Sequence, residues 1–209
     1  MTKIRAAFEK GKAFIPFITC GDPDLETTAA VVREAVRNGA DLVELGIPFS
    51  DPTAEGPVIQ GANIRALAGG MTTDRAFALV ENLRQDVTIP LVFMTYANVV
   101  FSYGADAFFA NCAKVGIDGI ILPDLPFEEK DEFQSVSRKY GVDLISLIAP
   151  TSHQRIAMIA REAEGVERHA MSKKGPETKK AEKSRENIKK AQFYVEFHAK
   201  PGDKLQKGA

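Results

Sequence analysis

Five short apolar runs, separated by longer amphipathic segments, constrain the fold of this 209-residue chain more than any other feature of its sequence. The runs are rich in Ile, Val, Leu and Phe, and their apolar residues are continuous rather than alternating. That pattern is typical of parallel strands buried on both faces. The predicted strands cover residues 12–19, 41–46, 89–96, 118–124 and 142–150.

The segments between the runs carry apolar residues at helical spacing, as in the stripe of Phe77, Val80 and Leu83. Several begin with Asp, Thr or Ser and end with Gly, which are the residues that cap helices. The predicted helices cover residues 24–39, 72–86, 104–116, 127–141 and 152–165.

Strict alternation of strand and helix predicts an α/β fold with parallel strands and right-handed crossovers. Two architectures fit this pattern, an open doubly wound sheet and a (β/α)8 barrel. The first predicted strand ends in "TCGDPD" (19–24), which lacks the G-x-G-x-x-G fingerprint of dinucleotide binding. In either architecture we expect function at the carboxyl ends of the strands.

The overall composition excludes several classes of function. With 44% hydrophobic residues and a net charge of -1, the chain is predicted to bind neither nucleic acid nor a membrane. Cys20 and Cys112 are the only cysteines, and neither has a histidine at metal-ligand spacing, so no metal site is predicted. The polar N-terminus lacks the apolar core of a signal peptide, so we expect a soluble cytoplasmic protein.

Glu44 is the most informative acidic residue because it lies inside an apolar strand. Leu42 and Gly46 share its face of the predicted strand, and Val43 and Leu45 occupy the other face. Burying a carboxylate there costs free energy unless the group is paired or takes up a proton. A general acid/base needs such a group, while a structural glutamate paired with a neighbouring donor or cation is the alternative.

Glu55 follows in a loop that Pro48, Pro52 and Pro57 stiffen. Two carboxyl groups that converge from a strand and a loop can divide the acid and base roles between them. The alternative is a solvated loop acid.

Four motifs carry a resemblance to a known family. They are "FIPFITCGDPD" (14–24), "VELGIPFSDPTAEGPVIQGAN" (43–63), "FMTYANVVFSYG" (93–104) and "ILPDLPFEE" (121–129). From about residue 4 to Gly165 the chain resembles the tryptophan synthase α subunit family. The resemblance implies a (β/α)8 TIM barrel that needs no cofactor and cleaves indole-3-glycerol phosphate to indole and glyceraldehyde 3-phosphate. It also implies an α2β2 complex with a PLP-dependent β subunit.

The resemblance assigns roles to six residues. Glu44 falls on the family's catalytic glutamate, and Glu55 falls on its catalytic aspartate, in "AEGP" where the family has "ADGP". The added methylene moves the carboxylate by about 1 Å, which can cost about 100-fold in rate. The substrate-binding positions implied are Phe17 and Tyr96 in the indole pocket and Asp124 behind it. The loop that contacts the β subunit contains Asp51.

The sequence changes character after Gly165, where the family's phosphate-binding loops are not recognised. Residues 166–209 contain 12 Lys and Arg against 6 Asp and Glu. We therefore expect a TIM barrel truncated to about five βα units in residues 1–165, and an unmatched basic tail in 166–209. A helix at 177–191 and a strand at 192–199, or a disordered segment, are open alternatives for the tail.

The function expected is that of the tryptophan-pathway lyase, with weak or no turnover in this chain because the phosphate loops are not recognised. One alternative is a non-catalytic remnant that binds or modulates the β subunit. Another is a different barrel enzyme that acts on a phosphorylated, sugar-like substrate.

Overall fold

The computed structural model describes residues 3–8, 13–53 and 55–148, and the backbone of residues 168–169. In chain order the elements are α1 (Lys3–Ala6), β1 (Phe17–Thr19), α2 (Leu25–Arg37), β2 (Val43–Gly46), α3 (Pro57–Ala68), α4 (Thr73–Leu83), β3 (Leu91–Met94), α5 (Ala97–Tyr103), α6 (Ala105–Val115), β4 (Gly119–Ile121), α7 (Asp131–Tyr140), β5 (Asp143–Ile145), β6 (Leu147–Ile148) and β7 (Arg168–His169). A short 3-10 helix, Phe127–Glu129, precedes α7.

Strands β1 to β5 form one parallel sheet in which their spatial order is their order in the chain. A doubly wound sheet would reverse that order at a switch point, whereas consecutive parallel strands are the arrangement of a (β/α)8 barrel. The described sheet is therefore an arc of a barrel wall, which confirms the predicted fold class. β6 and β7 form a separate parallel pair.

The two faces of the sheet pack into two different apolar clusters. The outer face packs against the helices, and its buried residues include Val43, Leu45, Leu91, Phe93 and Ile120. The inner face forms a second cluster with Ile4 and Ile15, and its strand residues include Leu42, Val92, Ile121 and Ile145. This division confirms the predicted facing of β2, since residues 43 and 45 point to the helices and residue 42 points inward.

Helix α1 packs against the inner face of the sheet near the amino end of β4. The Ile4 side chain is fully buried there, and a Cβ added at Gly119 would lie 2.8 Å from its Cδ1 atom. Lys3 adds an ion pair with Asp118, at 3.3 Å. A side chain at position 119 would therefore overlap Ile4, which explains the glycine there. α1 is not among the helices predicted from the sequence.

Arg84 ties together the amino ends of β3 and β4. Its guanidinium donates to the carbonyl oxygens of Gly116, Val87 and Ile89, and Nη2 lies 2.5 Å from Oδ2 of Asp118. Burial lowers the pKa of Arg84, and the nearby Asp118 carboxylate opposes that shift. Arg84 thus satisfies three backbone carbonyls at once.

Most predicted helices are confirmed, and their ends follow the expected capping chemistry. The Asp24 carboxylate accepts a hydrogen bond from the Thr27 N–H at the start of α2, which lowers the pKa of Asp24. Thr72 caps α4 by accepting from the Arg75 N–H. α6 and α7 both end at a glycine with positive φ, Gly116 and Gly141.

Four details of the predicted pattern are wrong. The strand predicted at 142–150 is broken, because β5 ends at Ile145 and β6 pairs with β7 in a separate sheet. β1 begins at Phe17 rather than residue 12, with Pro16 immediately before it. Pro57, expected in the loop that carries Glu55, is instead the first residue of α3, a helix that was not predicted. A further helix, α5, precedes the helix predicted at 104–116. Gly104, at φ 91°, separates α5 from α6. The expected helix at 152–165, the domain end at 165 and the tail elements lie outside the described residues.

The two cysteines are buried in the outer cluster. Burial raises the pKa of the Cys20 thiol to about 12 and also raises the pKa of Cys112. Within the described ranges, no group of three or more His, Cys, Asp or Glu side chains could hold a metal ion. None of the helices described there is long and apolar enough to cross a membrane.

We predict that Arg84→Met destabilises the fold by about 3 kcal/mol, because the change leaves three part-buried carbonyls and the Asp118 carboxylate without their donor. The matched control is Arg37→Met, since Arg37 pairs with Glu34 on the exposed face of α2 and should cost less than about 0.5 kcal/mol. Urea unfolding monitored by circular dichroism measures both. Equal losses in the two variants would contradict the prediction.

A second prediction concerns two buried threonines. Thr95 is 2% exposed, and its hydroxyl has no hydrogen-bond partner among the described residues. The Thr28 hydroxyl accepts from Gly21 N–H at 3.0 Å and donates to Asp24 O at 2.7 Å. Thr95→Val should therefore raise the free energy of unfolding by about 1 kcal/mol, while Thr28→Val should lower it by about 1–3 kcal/mol. Urea unfolding of the two variants tests the difference in sign.

Candidate active site

Glu44 lies on the inner face of the sheet, in the second position of β2. Its Cα partners are Phe17 on β1 and Val92 on β3, so these three side chains share one layer of the barrel interior. The residue is 4% exposed. The structure thus confirms that this carboxyl group is buried on the inner face of its strand.

Gly46 lies one layer nearer the carboxyl end of β2, directly beyond Glu44 on the same face. A Cβ at this position would lie 2.5 Å from Cζ and 2.9 Å from Cε2 of Phe17. The Phe17 ring therefore leans from the layer of Glu44 across the space that Gly46 leaves open. An aromatic wall flanks the route from the Glu44 carboxyl group to the mouth of the barrel.

Glu55 is held over the same end of the sheet by Tyr96. The Tyr96 hydroxyl donates a hydrogen bond to Oε2 of Glu55, and Tyr96 lies two residues beyond the end of β3, at the start of α5. Because the loop carrying Glu55 leaves the carboxyl end of β2, which is parallel to β3, both predicted acids belong to the same end of the barrel. Glu55 is half-buried rather than fully solvated.

Further contacts fix the segment around Glu55. The Thr53 N–H donates to the Tyr96 hydroxyl at 3.0 Å, and Gln60 Nε2 donates to the Glu55 carbonyl oxygen at 2.9 Å. The Phe49 ring packs against Tyr96 with a centroid separation of 5.1 Å. Side chains from the loop, from α3 and from the end of β3 thus converge on one short segment.

Asp124 lies after β4 and is exposed. Both of its carboxylate oxygens accept from the Ala97 N–H, at 2.9 and 3.2 Å, and so it contacts the first residue of α5. Negative charge at a helix N-terminus is stabilising. Ala97 directly follows Tyr96 in the chain, so Asp124 binds the backbone next to Tyr96.

Asp51 is exposed in the loop after β2. Its Oδ2 atom accepts from the Ser50 hydroxyl at 2.5 Å. The structure does not bring Asp51 into the contacts that hold Glu55. Its exposure leaves it available at the surface of this loop.

The loop after β1 is anchored to α3 and α2. Asp22 accepts two hydrogen bonds from Arg65, at 2.8 and 2.7 Å, and this contact raises the pKa of the exposed Arg65 guanidinium. Gly21 has a φ of 81°, and a Cβ there would lie 3.0 Å from the sulfur atom of Met71. A glycine is therefore needed where the loop turns towards α2.

The arrangement combines a buried carboxyl group, a second carboxyl group at the same end of the barrel and an aromatic wall. Such a site can trade protons with a bound ring system while water is kept from the buried acid. The sequence analysis identified both acids, Phe17 and Tyr96. It missed Phe49, Thr53 and Gln60, because a contact between a loop and a distant strand end leaves no trace in hydrophobic periodicity.

Comparison with known proteins points to the same family that the sequence motifs resemble. The family profile described as "Tryptophan synthase alpha chain" matches residues 4–196, and thus runs past Gly165. The tryptophan synthase alpha chain of Lacticaseibacillus casei is 50% identical over 165 residues, covering 79% of this chain and 62% of the relative. That of Shouchella clausii is 52% identical over 164 residues, covering 78% and 61%. The chain spans about three fifths of the length of these curated relatives.

Solved structures extend the likeness to the fold. Tryptophan synthase subunit alpha from Legionella pneumophila aligns with a TM-score of 0.83 and 36% identity, covering 93% of this chain and 79% of that one. The tryptophan synthase complex from Pyrococcus furiosus aligns with a TM-score of 0.73 and 35% identity, covering 76% and 66%.

The packing of Phe17 on Gly46 generates a stability prediction. Gly46→Ala should lower the free energy of unfolding by about 1–3 kcal/mol, because the new methyl group overlaps the Phe17 ring. Phe17→Leu in the Gly46→Ala background should recover part of that loss by removing the ring. Urea unfolding of the two single variants and the double variant measures the coupling. Additive losses would show that the ring does not occupy the space above Gly46.

Proposed function

Because the chain belongs to the tryptophan synthase alpha chain family, we propose that it is a lyase that cleaves indole-3-glycerol phosphate to indole and glyceraldehyde 3-phosphate. One observation carries the proposal: a buried carboxyl group, Glu44, lies under a barrel end over which a second acid, Glu55, is held. Retro-aldol cleavage needs these groups and no metal. It requires proton transfer at the ring carbon, at the glycerol hydroxyl and at the ring nitrogen.

In this proposal Glu44 is the general acid and base at the carbon–carbon bond that breaks. It donates a proton to C3 of the indole ring and takes one from the glycerol hydroxyl, which becomes the aldehyde carbonyl as the bond between the ring and the side chain breaks. Burial keeps bulk water away from this exchange.

Glu55 binds the indole N–H and stabilises the positive charge that the protonated ring develops. Phe17 and Tyr96 line the indole pocket, and Asp124 supports it from the end of β4. The Phe17 ring beside Gly46 supplies an apolar surface of the kind that a flat heterocycle requires.

The phosphate group of the substrate would bind beyond these residues, and the contacts expected for it lie outside the described part of the chain. We place the catalytic domain in residues 1–165 and the protein in the cytoplasm. No observation on the described residues favours the non-catalytic remnant or another barrel enzyme.

We further propose that the partner is a tryptophan synthase β subunit, in an α2β2 assembly. Two of the similar solved structures, both from Pyrococcus furiosus, are described as a tryptophan synthase complex and as its a2b2 complex. Asp51, exposed in the loop after β2, is the residue we assign to that contact.

Indole release from indole-3-glycerol phosphate, with and without a β subunit, tests the proposal. Glu44→Gln should lower kcat by at least about 1,000-fold, because the amide cannot transfer the protons. The matched control is Glu81→Gln on the exposed face of α4, which should change kcat by less than about twofold.

Two results would refute the assignment. One is a wild-type chain that releases no indole even with a β subunit, the outcome that the unrecognised phosphate loops leave open. The other is a Glu44→Gln variant as active as the Glu81→Gln control. Absence of turnover together with stimulation of the β subunit would favour the remnant instead.

A further inference from the structure

Tyr96 touches the loop acid through its hydroxyl rather than through its ring. That hydroxyl donates to Glu55 Oε2 and accepts from the Thr53 N–H at 3.0 Å, so it bridges a side chain and a backbone group two residues apart. Tyr96 itself is 4% exposed, and it is fixed between the end of β3 and the start of α5. A tyrosine that served only as an apolar wall would not need this hydroxyl.

A second hydrogen bond to Glu55 comes from Gln60 of α3 and does not reach the carboxylate. Gln60 binds the Glu55 main-chain carbonyl and therefore leaves the position of the carboxylate undetermined. A glutamate has three side-chain torsions, so an unsupported carboxylate in a loop samples many positions. Tyr96 supplies the contact that selects one of them, and Phe49 packs on the ring of Tyr96.

We propose that Tyr96 is a positioning residue, which clamps Thr53 and Glu55 and thereby sets the place of the Glu55 carboxylate at the mouth of the barrel. The inference rests on the proposed function for its catalytic consequence and on the structure alone for the clamp. It gives Tyr96 a role in the chemical step, beyond a place in the pocket wall.

The clamp is tested without any activity measurement. In Tyr96→Phe the Thr53 amide loses its acceptor, and its hydrogen exchange, followed by NMR, should become at least about tenfold faster. The matched control is Tyr103→Phe, which removes a hydroxyl that contacts Asp74 and Asn111 instead. It should leave the exchange of Thr53 unchanged, and equal effects of the two variants would overturn the proposal.

A double-mutant cycle of Tyr96→Phe and Glu55→Ala tests whether the two side chains act together. A hydrogen bond to a carboxylate predicts a coupling of about tenfold in the unfolding equilibrium constant. Independent effects of the two changes would overturn the clamp.

Kinetics then separate positioning from pocket lining. If Tyr96 positions Glu55, Tyr96→Phe should lower kcat about 10- to 100-fold with KM changed less than about threefold. A rise in KM at constant kcat would make Tyr96 a pocket wall and overturn its positioning role. Should the wild-type chain release no indole, the proposed function fails, while the exchange and coupling measurements still decide whether the clamp exists.

Discussion

The register of the five parallel strands is the constraint on which the site depends. It places Phe17, Glu44 and Val92 side by side on the inner face, so the buried acid has an aromatic neighbour on one side and an aliphatic one on the other. A shift of one residue in β2 would turn Glu44 towards the helices and bring Val43 or Leu45 inward. The apolar residues that flank Glu44 thus fix its direction, because the outer cluster needs them.

Three loops at the carboxyl ends of the described strands are held by a residue of another βα unit. Arg65 of α3 holds Asp22 after β1, Tyr96 after β3 holds the segment after β2, and Asp124 after β4 contacts the start of α5. At the opposite end Arg84 joins β3 to β4. The chemistry and the fastening of the strands are therefore separated along the barrel axis, which is usual for this architecture.

Sequence reasoning reached the fold class and both acids because continuous apolar runs and a carboxylate within one of them are local signals. It missed α3 because residues 57–68 show no clear apolar stripe, with Val58 and Ile64 both exposed. It missed α5, which is short, and it assigned Gly104 to the following helix rather than to the break between α5 and α6. The contact between Tyr96 and Glu55 joins residues 41 positions apart, and no periodicity records such a pairing.

The contact between Ile4 and Gly119 makes the residues tolerated at two distant positions of the chain depend on each other. A methyl group at position 119 meets the Ile4 side chain, the carbonyl oxygen of Asp143 and the end of Ile145, all within 3.1 Å. In any lineage descended from this chain, a larger residue at 119 becomes tolerable only after position 4 has shortened and β5 has shifted outward. The first helix, four residues long, is thereby tied to the evolutionary history of a strand more than a hundred residues away.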